Sequence, residues 1–199
     1  MEKLNIKIQQ KTKKRHLDYL IYLRKGPLEN NEQDKKVGEI IRKDTQEVVA
    51  DIVVNDKSVE AANFRTMYVM YFREKQRHVI CMTAAQFKDF LPRTPEVLFS
   101  LWHELGHIHN GDLVDGNGLL NTQQDRNTAV FSGTVCEKER KADAFAAGQV
   151  GKAVAVLALQ KMKAERKMRD ICNGTDKREK AKLALMEYDY RIKAIQELG

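Results

Sequence analysis

The chain has 199 residues, 42% of them hydrophobic, and a formal net charge of +7. That is material for one buried core, too short for two full domains and without a Pro/Gly-rich linker to join them. No apolar run reaches membrane-spanning length, and no basic leader with an apolar stretch and cleavage site opens the chain, so a soluble, cytoplasmic protein without a membrane partner is expected.

Residues 1–25 hold eight Lys/Arg against two acids and run into Gly26-Pro27. Leu17, Leu20, Ile21 and Leu23 are spaced to make the end of this segment helical. Residues 28–36 are polar and read as a loop. Residues 37–54 fit either a helix, from the spacing of Ile40, Ile41, Val48, Val49, Ile52 and Val53, or a strand, from the density of β-branched residues after Val48. Residues 66–72 and 78–83 are better strand candidates, and the short charged turn between them predicts an antiparallel hairpin.

The clearest helix follows. Thr94 suits the N-cap, Pro95 the first helical position and Glu96 the positive end of the helix dipole, while Asn110-Gly111 marks the stop. Residues 111–134, with four glycines among Asn, Asp and Thr, read as a long polar loop of a kind that is often functional. A second, Ala-rich helix is expected from Cys136 to Asn173-Gly174, then a charged helix to about Leu198. Residues 161–182 carry nine Lys/Arg against four acids. Basic termini of this kind can contact nucleic acid, but no aromatic residues interleave to stack bases, and a solvated helix face is the plainer reading. Cys81, Cys136 and Cys172 are odd in number and form no CxxC pair, so reduced, buried thiols are expected.

Residues 103–107 read His-Glu-Leu-Gly-His. Two imidazoles one helical turn apart can reach one metal ion, with the intervening Glu104 beside it. On a helical wheel Leu98, Leu101, Trp102, Leu105 and Ile108 share one side; Glu96, Ser100, His103, Glu104 and His107 fall on the other. Histidines in a purely structural role would lie on the apolar stripe. His109, about 200° round from His107, points away from such a site.

A catalytic zinc commonly takes three protein ligands and leaves a fourth position for water. On the second helix Glu139, Asp143, Ala146 and Val150 share a face with Ala142 beside them. Small residues there allow close approach to the first helix, so Glu139 can complete the set, while Asp143 can hydrogen-bond the outer nitrogen of a ligand histidine. Glu137, the rival ligand, lies about 160° away.

The strand at residues 78–83, the HELGH helix and the pattern Glu-x-x-Ala-Asp-x-Phe-Ala from Glu139 to Ala146 together resemble the ImmA/IrrE zinc metallopeptidases over roughly residues 66–150. The resemblance implies zinc on His103, His107 and Glu139, Glu104 as general base, and a protein substrate, a helix-turn-helix repressor of mobile elements or stress responses in known members. Gly148 to Gly151 stands where the family often ends in a Leu-Leu-Met-Pro-like run, a departure that bears on the substrate.

The expected fold is α+β: a mainly helical single domain with a small antiparallel sheet beside the motif helix and a C-terminal helical hairpin. Residues 1–160 would form the zincin-like metallopeptidase domain with its basic N-terminal segment, and residues 161–199 a charged helical extension. Substrate would add as a strand along the edge of residues 78–83. Tyr68, Tyr71, His78 and His109 are candidates for stabilising the oxyanion. A nucleic-acid-associated regulator with a structural or vestigial zinc site is the competing class. A third is an interaction protein whose C-terminal hairpin docks a partner.

Overall fold

A computed structural model describes residues 3–5, 19–24, 35–55, 67–72, 77–90, 94–112, 126, 128–176 and 178–199. The chain is α+β and divides into two compact units, Met1–Arg93 and Thr94–Gly199.

The first unit is a six-stranded sheet: β1 (Lys3–Asn5), β2 (Tyr19–Arg24), β3 (Lys35–Arg42), β4 (Val48–Val54), β5 (Tyr68–Phe72) and β6 (Arg77–Met82), followed by a short helix, α1 (Ala84–Phe90). The helix expected to end the basic segment is strand β2 over its described residues. Tyr19, Ile21 and Leu23 are buried and alternate with Leu20 and Tyr22, a period of two that outweighs the helical spacing. The loop expected over residues 28–36 gives way to strand at Lys35; its earlier part, like residues 6–18, lies outside the described residues. The ambiguous stretch resolves into β3 and β4, an antiparallel pair closed by a turn in which the Gln46 amide donates to the Arg42 carbonyl at 2.9 Å. Val37, Ile40, Ala50, Ile52 and Val54 are buried, as β-branched residues on a pleated surface favour.

The strand order is β1-β2-β3-β4-β6-β5, with every neighbouring pair antiparallel except β4 and β6. The sheet is therefore mixed, where a small antiparallel one was expected. The hairpin of β5 and β6 forms as read, but β6 inserts between β4 and β5, pairing Ile52 with Ile80 and Val54 with Met82. Both edges of β6 are thus taken, which removes it as a docking edge for a substrate strand. Tyr71 and His78 are cross-strand partners with ring centroids 5.0 Å apart, and burial pushes the His78 imidazole pKa down.

Among the described residues the second unit holds four long helices: α2 (Pro95–His109), α3 (Glu137–Val150), α4 (Lys152–Cys172) and α5 (Glu179–Gln196). A short helical stretch at residues 128–131 sits within the expected polar loop; residues 113–125 of that loop lie outside the described residues. The second helix is broken by Gly151, whose φ of 93° no L-residue adopts readily, giving α3 and α4 in place of one rod. α4 and α5 pack together as the C-terminal helical pair. Residue 160 falls inside α4, so the expected division there does not separate two bodies. The charge run beginning at 161 marks the solvent side of a helix whose Ala155, Ala158 and Leu159 are buried. Three of its basic residues are matched within the unit: Lys161 with Glu96 at 2.7 Å, Lys163 with Asp189 at 2.5 Å and Arg166 with Asp170 at 2.8 Å. Among the described residues no helix is long and apolar enough to cross a membrane. Cys81 and Cys136 are buried, but Cys172, expected to be so, is exposed at the last turn of α4.

Candidate metal centre

The motif helix α2 starts at Thr94, which is extended (φ −60°, ψ 140°) and makes no side-chain cap bond; its carbonyl accepts from the Leu98 amide at 3.1 Å. At the other end Asn110 is the C-cap and Gly111 has φ 72°. The Gly111 amide donates to the Ile108 carbonyl at 3.1 Å and the Asp112 amide to the His107 carbonyl at 3.0 Å, the two bonds of a Schellman turn. This turn brings its last residue back over the residue five earlier. Here that contact, ordinarily apolar, is polar: the Asp112 carboxylate accepts from His107 Nδ1 at 2.9 Å.

The polar side of α2 is not left facing solvent, since Ser100, His103 and His107 are all buried along with Leu101, Trp102 and Leu105. It packs on α3, and the approach is close because neither helix offers bulk at the crossing. A Cβ placed on Gly106 would stand 2.9 Å from the Ala142 Cα and 3.1 Å from its carbonyl oxygen. Ala142 and Ala146 are fully buried.

That contact delivers Glu139, one helical turn before Ala142, to the two histidines. His103 Nε2 and His107 Nε2 lie 3.1 Å apart with ring planes at 89°. Glu139 Oε2 is 3.3 Å from the first and Oε1 3.7 Å from the second. These ligating atoms, all buried, lie within 4.8 Å of one another and can hold a metal ion.

The other faces of the imidazoles are spoken for. His103 Nδ1 donates to Asp143 Oδ1 at 2.8 Å and His107 Nδ1 to Asp112. A carboxylate only accepts, so both Nδ1 atoms carry the hydrogen, and both Nε2 lone pairs turn toward the same point as the Glu139 oxygens. Three lone-pair donors converging in a buried space repel one another unless a cation lies between them.

Around this cluster stand two arginines. Arg191 on α5 grips Asp143 with both arms of its guanidinium: Nε donates to Oδ2 at 2.7 Å and Nη2 to Oδ1 at 2.6 Å, while Nη1 is 3.7 Å from Glu139 Oε2. Arg126 makes the same two-armed bond to Glu187 of α5, at 2.7 and 3.0 Å, with Nη1 3.8 Å from Glu139 Oε1. The carboxylates of Asp112, Glu139, Asp143 and Glu187 outnumber these two guanidiniums, a balance that favours a cation at the cluster.

The ionisation equilibria follow the same arithmetic. Burial opposes charge on Glu139, but Arg126, His103 and Arg191 outweigh it and hold its carboxyl well below the usual range. Burial likewise opposes charge on Asp143, and Arg191 overrides it. His103 loses hydration, yet Asp143 and Glu139 raise its pKa from 6.5 to about 9, so the metal-free cluster draws in a proton as partial compensation.

Of the residues read from sequence, His103, His107, Glu139 and Asp143 come together. Glu104, between the histidines on α2, is half-buried. His109 is exposed and stacks on Phe145 at 4.7 Å, away from the cluster. Glu137 is exposed and pairs with Arg140 at 2.7 Å. Sequence reading missed Asp112, Arg126, Glu187 and Arg191. A cleft of about 620 Å³ is lined by Asp112, Thr128, Ala129, Cys136 and Lys138; of the residues around the cluster only Asp112 reaches it, on the Nδ1 side of His107. The chain matches no protein-family model, no curated protein and no solved structure at a significant level.

Proposed function

We propose that the chain is a zinc-dependent metallopeptidase that hydrolyses peptide bonds of a protein substrate, with His103, His107 and Glu139 as ligands and Glu104 as general base. The carrying observation is the convergence of two Nε2 lone pairs and a carboxylate on one buried point while both Nδ1 atoms are held by other carboxylates. Two ligand atoms each about 2.0–2.2 Å from a tetrahedral ion stand roughly 3.3–3.5 Å apart. The 3.1 Å between the two Nε2 atoms and the 3.3 Å from His103 Nε2 to Glu139 Oε2 lie near that value. Two imidazoles and one carboxylate form the donor set of catalytic zinc, which leaves a position for water.

Zinc in such a set lowers the pKa of water toward 7 and polarises a carbonyl. Glu104 accepts a proton from the attacking water as its oxygen adds to the scissile carbon, then delivers a proton to the amine as the C–N bond breaks. Asp143 and Asp112 keep the two imidazoles in the tautomer that presents Nε2. The resemblance to ImmA/IrrE peptidases suggests a helix-turn-helix repressor as substrate class, and three free cysteines fit a cytoplasmic setting. The internal pairing of Lys161, Lys163 and Arg166 weighs against α4 as a nucleic-acid surface.

The test is bound metal per chain by elemental analysis, together with hydrolysis of a denatured protein. About one zinc in the wild type, clearly less in Glu139→Gln, and zinc retained with turnover lost by a factor of about 10²–10⁴ in Glu104→Gln are expected. A wild type that takes up no zinc on reconstitution overturns the reading.

A further inference from the structure

We propose that Arg191, on the C-terminal helix α5, is a positioning residue of the metal centre that acts through Asp143 to fix His103; the proposal rests on the zinc reading above. A side chain brought in from the last helix makes contacts that a packing role would not require. It is buried, and its two arms meet both oxygens of Asp143 at 2.7 and 2.6 Å. The same Oδ1 receives the hydrogen of His103 Nδ1 at 2.8 Å.

This geometry removes a freedom. A carboxylate held by one hydrogen bond can swing about its own bond to the chain and carry the imidazole with it. Asp143, held by a planar fork with a fixed spacing, cannot turn without breaking both arms. The ring plane of His103, and hence the direction of its Nε2 lone pair, is set by a guanidinium on another helix. The remaining nitrogen of the same guanidinium, Nη1, lies 3.7 Å from Glu139 Oε2, close enough to offset part of the charge on a second ligand. One residue thus addresses two of the three donors.

Lysine tests the assignment, because it can keep a positive charge there without the two-armed grip. Zinc affinity, read by competition with a chromophoric chelator, is expected to fall about 10- to 100-fold in Arg191→Lys and at least as far in Arg191→Met. The visible absorption of the Co²⁺-substituted protein should shift in band position or intensity in both. Because Arg191 acts chiefly through Asp143, the double variant Asp143→Asn/Arg191→Met should lose clearly less than the product of the two single losses. Where Arg191→Met does not fold, by circular dichroism, Arg191→Lys decides alone. Wild-type zinc affinity and an unchanged cobalt spectrum in folded Arg191→Lys overturn the assignment and leave the metal reading standing. Losses that multiply in full in the double variant overturn it too. A wild type without zinc affinity removes both.

Discussion

Adding a single methyl group at Gly106 should separate metal binding from folding. In Gly106→Ala the new Cβ would stand 2.9 Å from the Ala142 Cα, 3.1 Å from its carbonyl oxygen and 3.3 Å from its Cβ. The first two are α3 backbone, which no rotamer change can clear, so α3 must retreat by several tenths of an ångström. Overpacking of this kind costs about 1–3 kcal/mol, while replacing Gly by Ala within a helix returns about 1 kcal/mol. The net loss of stability should therefore be small, about 0–2 kcal/mol by urea unfolding of the metal-free protein. The loss at the centre should be larger in proportion. Glu139 rides on the displaced helix, and metal sites tolerate errors of only about 0.2 Å in ligand position. Zinc affinity should drop by roughly tenfold or more, as for other disturbances of ligand support. Adding Ala142→Gly should rescue little, since the Cα and carbonyl contacts remain. A Gly106→Ala protein that is more stable than wild type and binds zinc equally well would refute the claim that this crossing sets the site.

Asp112→Asn weakens the charge-assisted bond to His107 and should lower zinc affinity about 10-fold without loss of fold, as measured by chelator competition and circular dichroism. Stability of the metal-free protein should depend on pH through His103. Folding raises its pKa from 6.5 to about 9, so its contribution is full below pH 6.5 and is lost as pH rises through about 9. The decline, roughly 2–3 kcal/mol between those limits, should appear in urea unfolding of chelator-treated protein. In the zinc-loaded protein it should be absent, because the metal occupies the place of the proton. A flat profile in the metal-free protein would contradict the link between His103 and its two carboxylates.

The helical half of the fold was the more legible. Thr94, Pro95, Asn110 and Gly111 are local signals, and α2 obeys them. The HELGH spacing and the small residues of α3 were enough to place Glu139 and Asp143 beside the histidines. Asp112 was within reach of the same reasoning: once Gly111 is taken as the residue after the C-cap, the following residue falls over His107. Arg191 and Glu187 gave no such signal, because a basic or acidic residue on an amphipathic helix reads as solvent-facing until its partners are known. In the sheet, β2 was mistaken for a helix because Leu17, Leu20, Ile21 and Leu23 satisfy one period while Tyr19, Ile21 and Leu23 satisfy another; burial on one face settled the matter. The insertion of β6 beside β4 depends on pairing across an intervening strand, which no local pattern encodes. Gly151 broke the second long helix although the Ala-rich sequence on either side favours continuation, and its positive φ is the reason.

The placement of Arg191 also has a consequence for the order in which the protein is made. Glu139, the last of the three ligands, is followed by about fifty residues before Arg191 is added. At elongation rates of about 5–20 residues per second that gap is roughly 3–10 s. During it the nascent chain has every metal-binding atom but lacks the fork that holds Asp143 and the Glu187 partner of Arg126. Two buried carboxylates must then be neutralised by some other means, or α2 and α3 must remain apart. An ion captured before α5 docks would be held by ligands that are still free to turn.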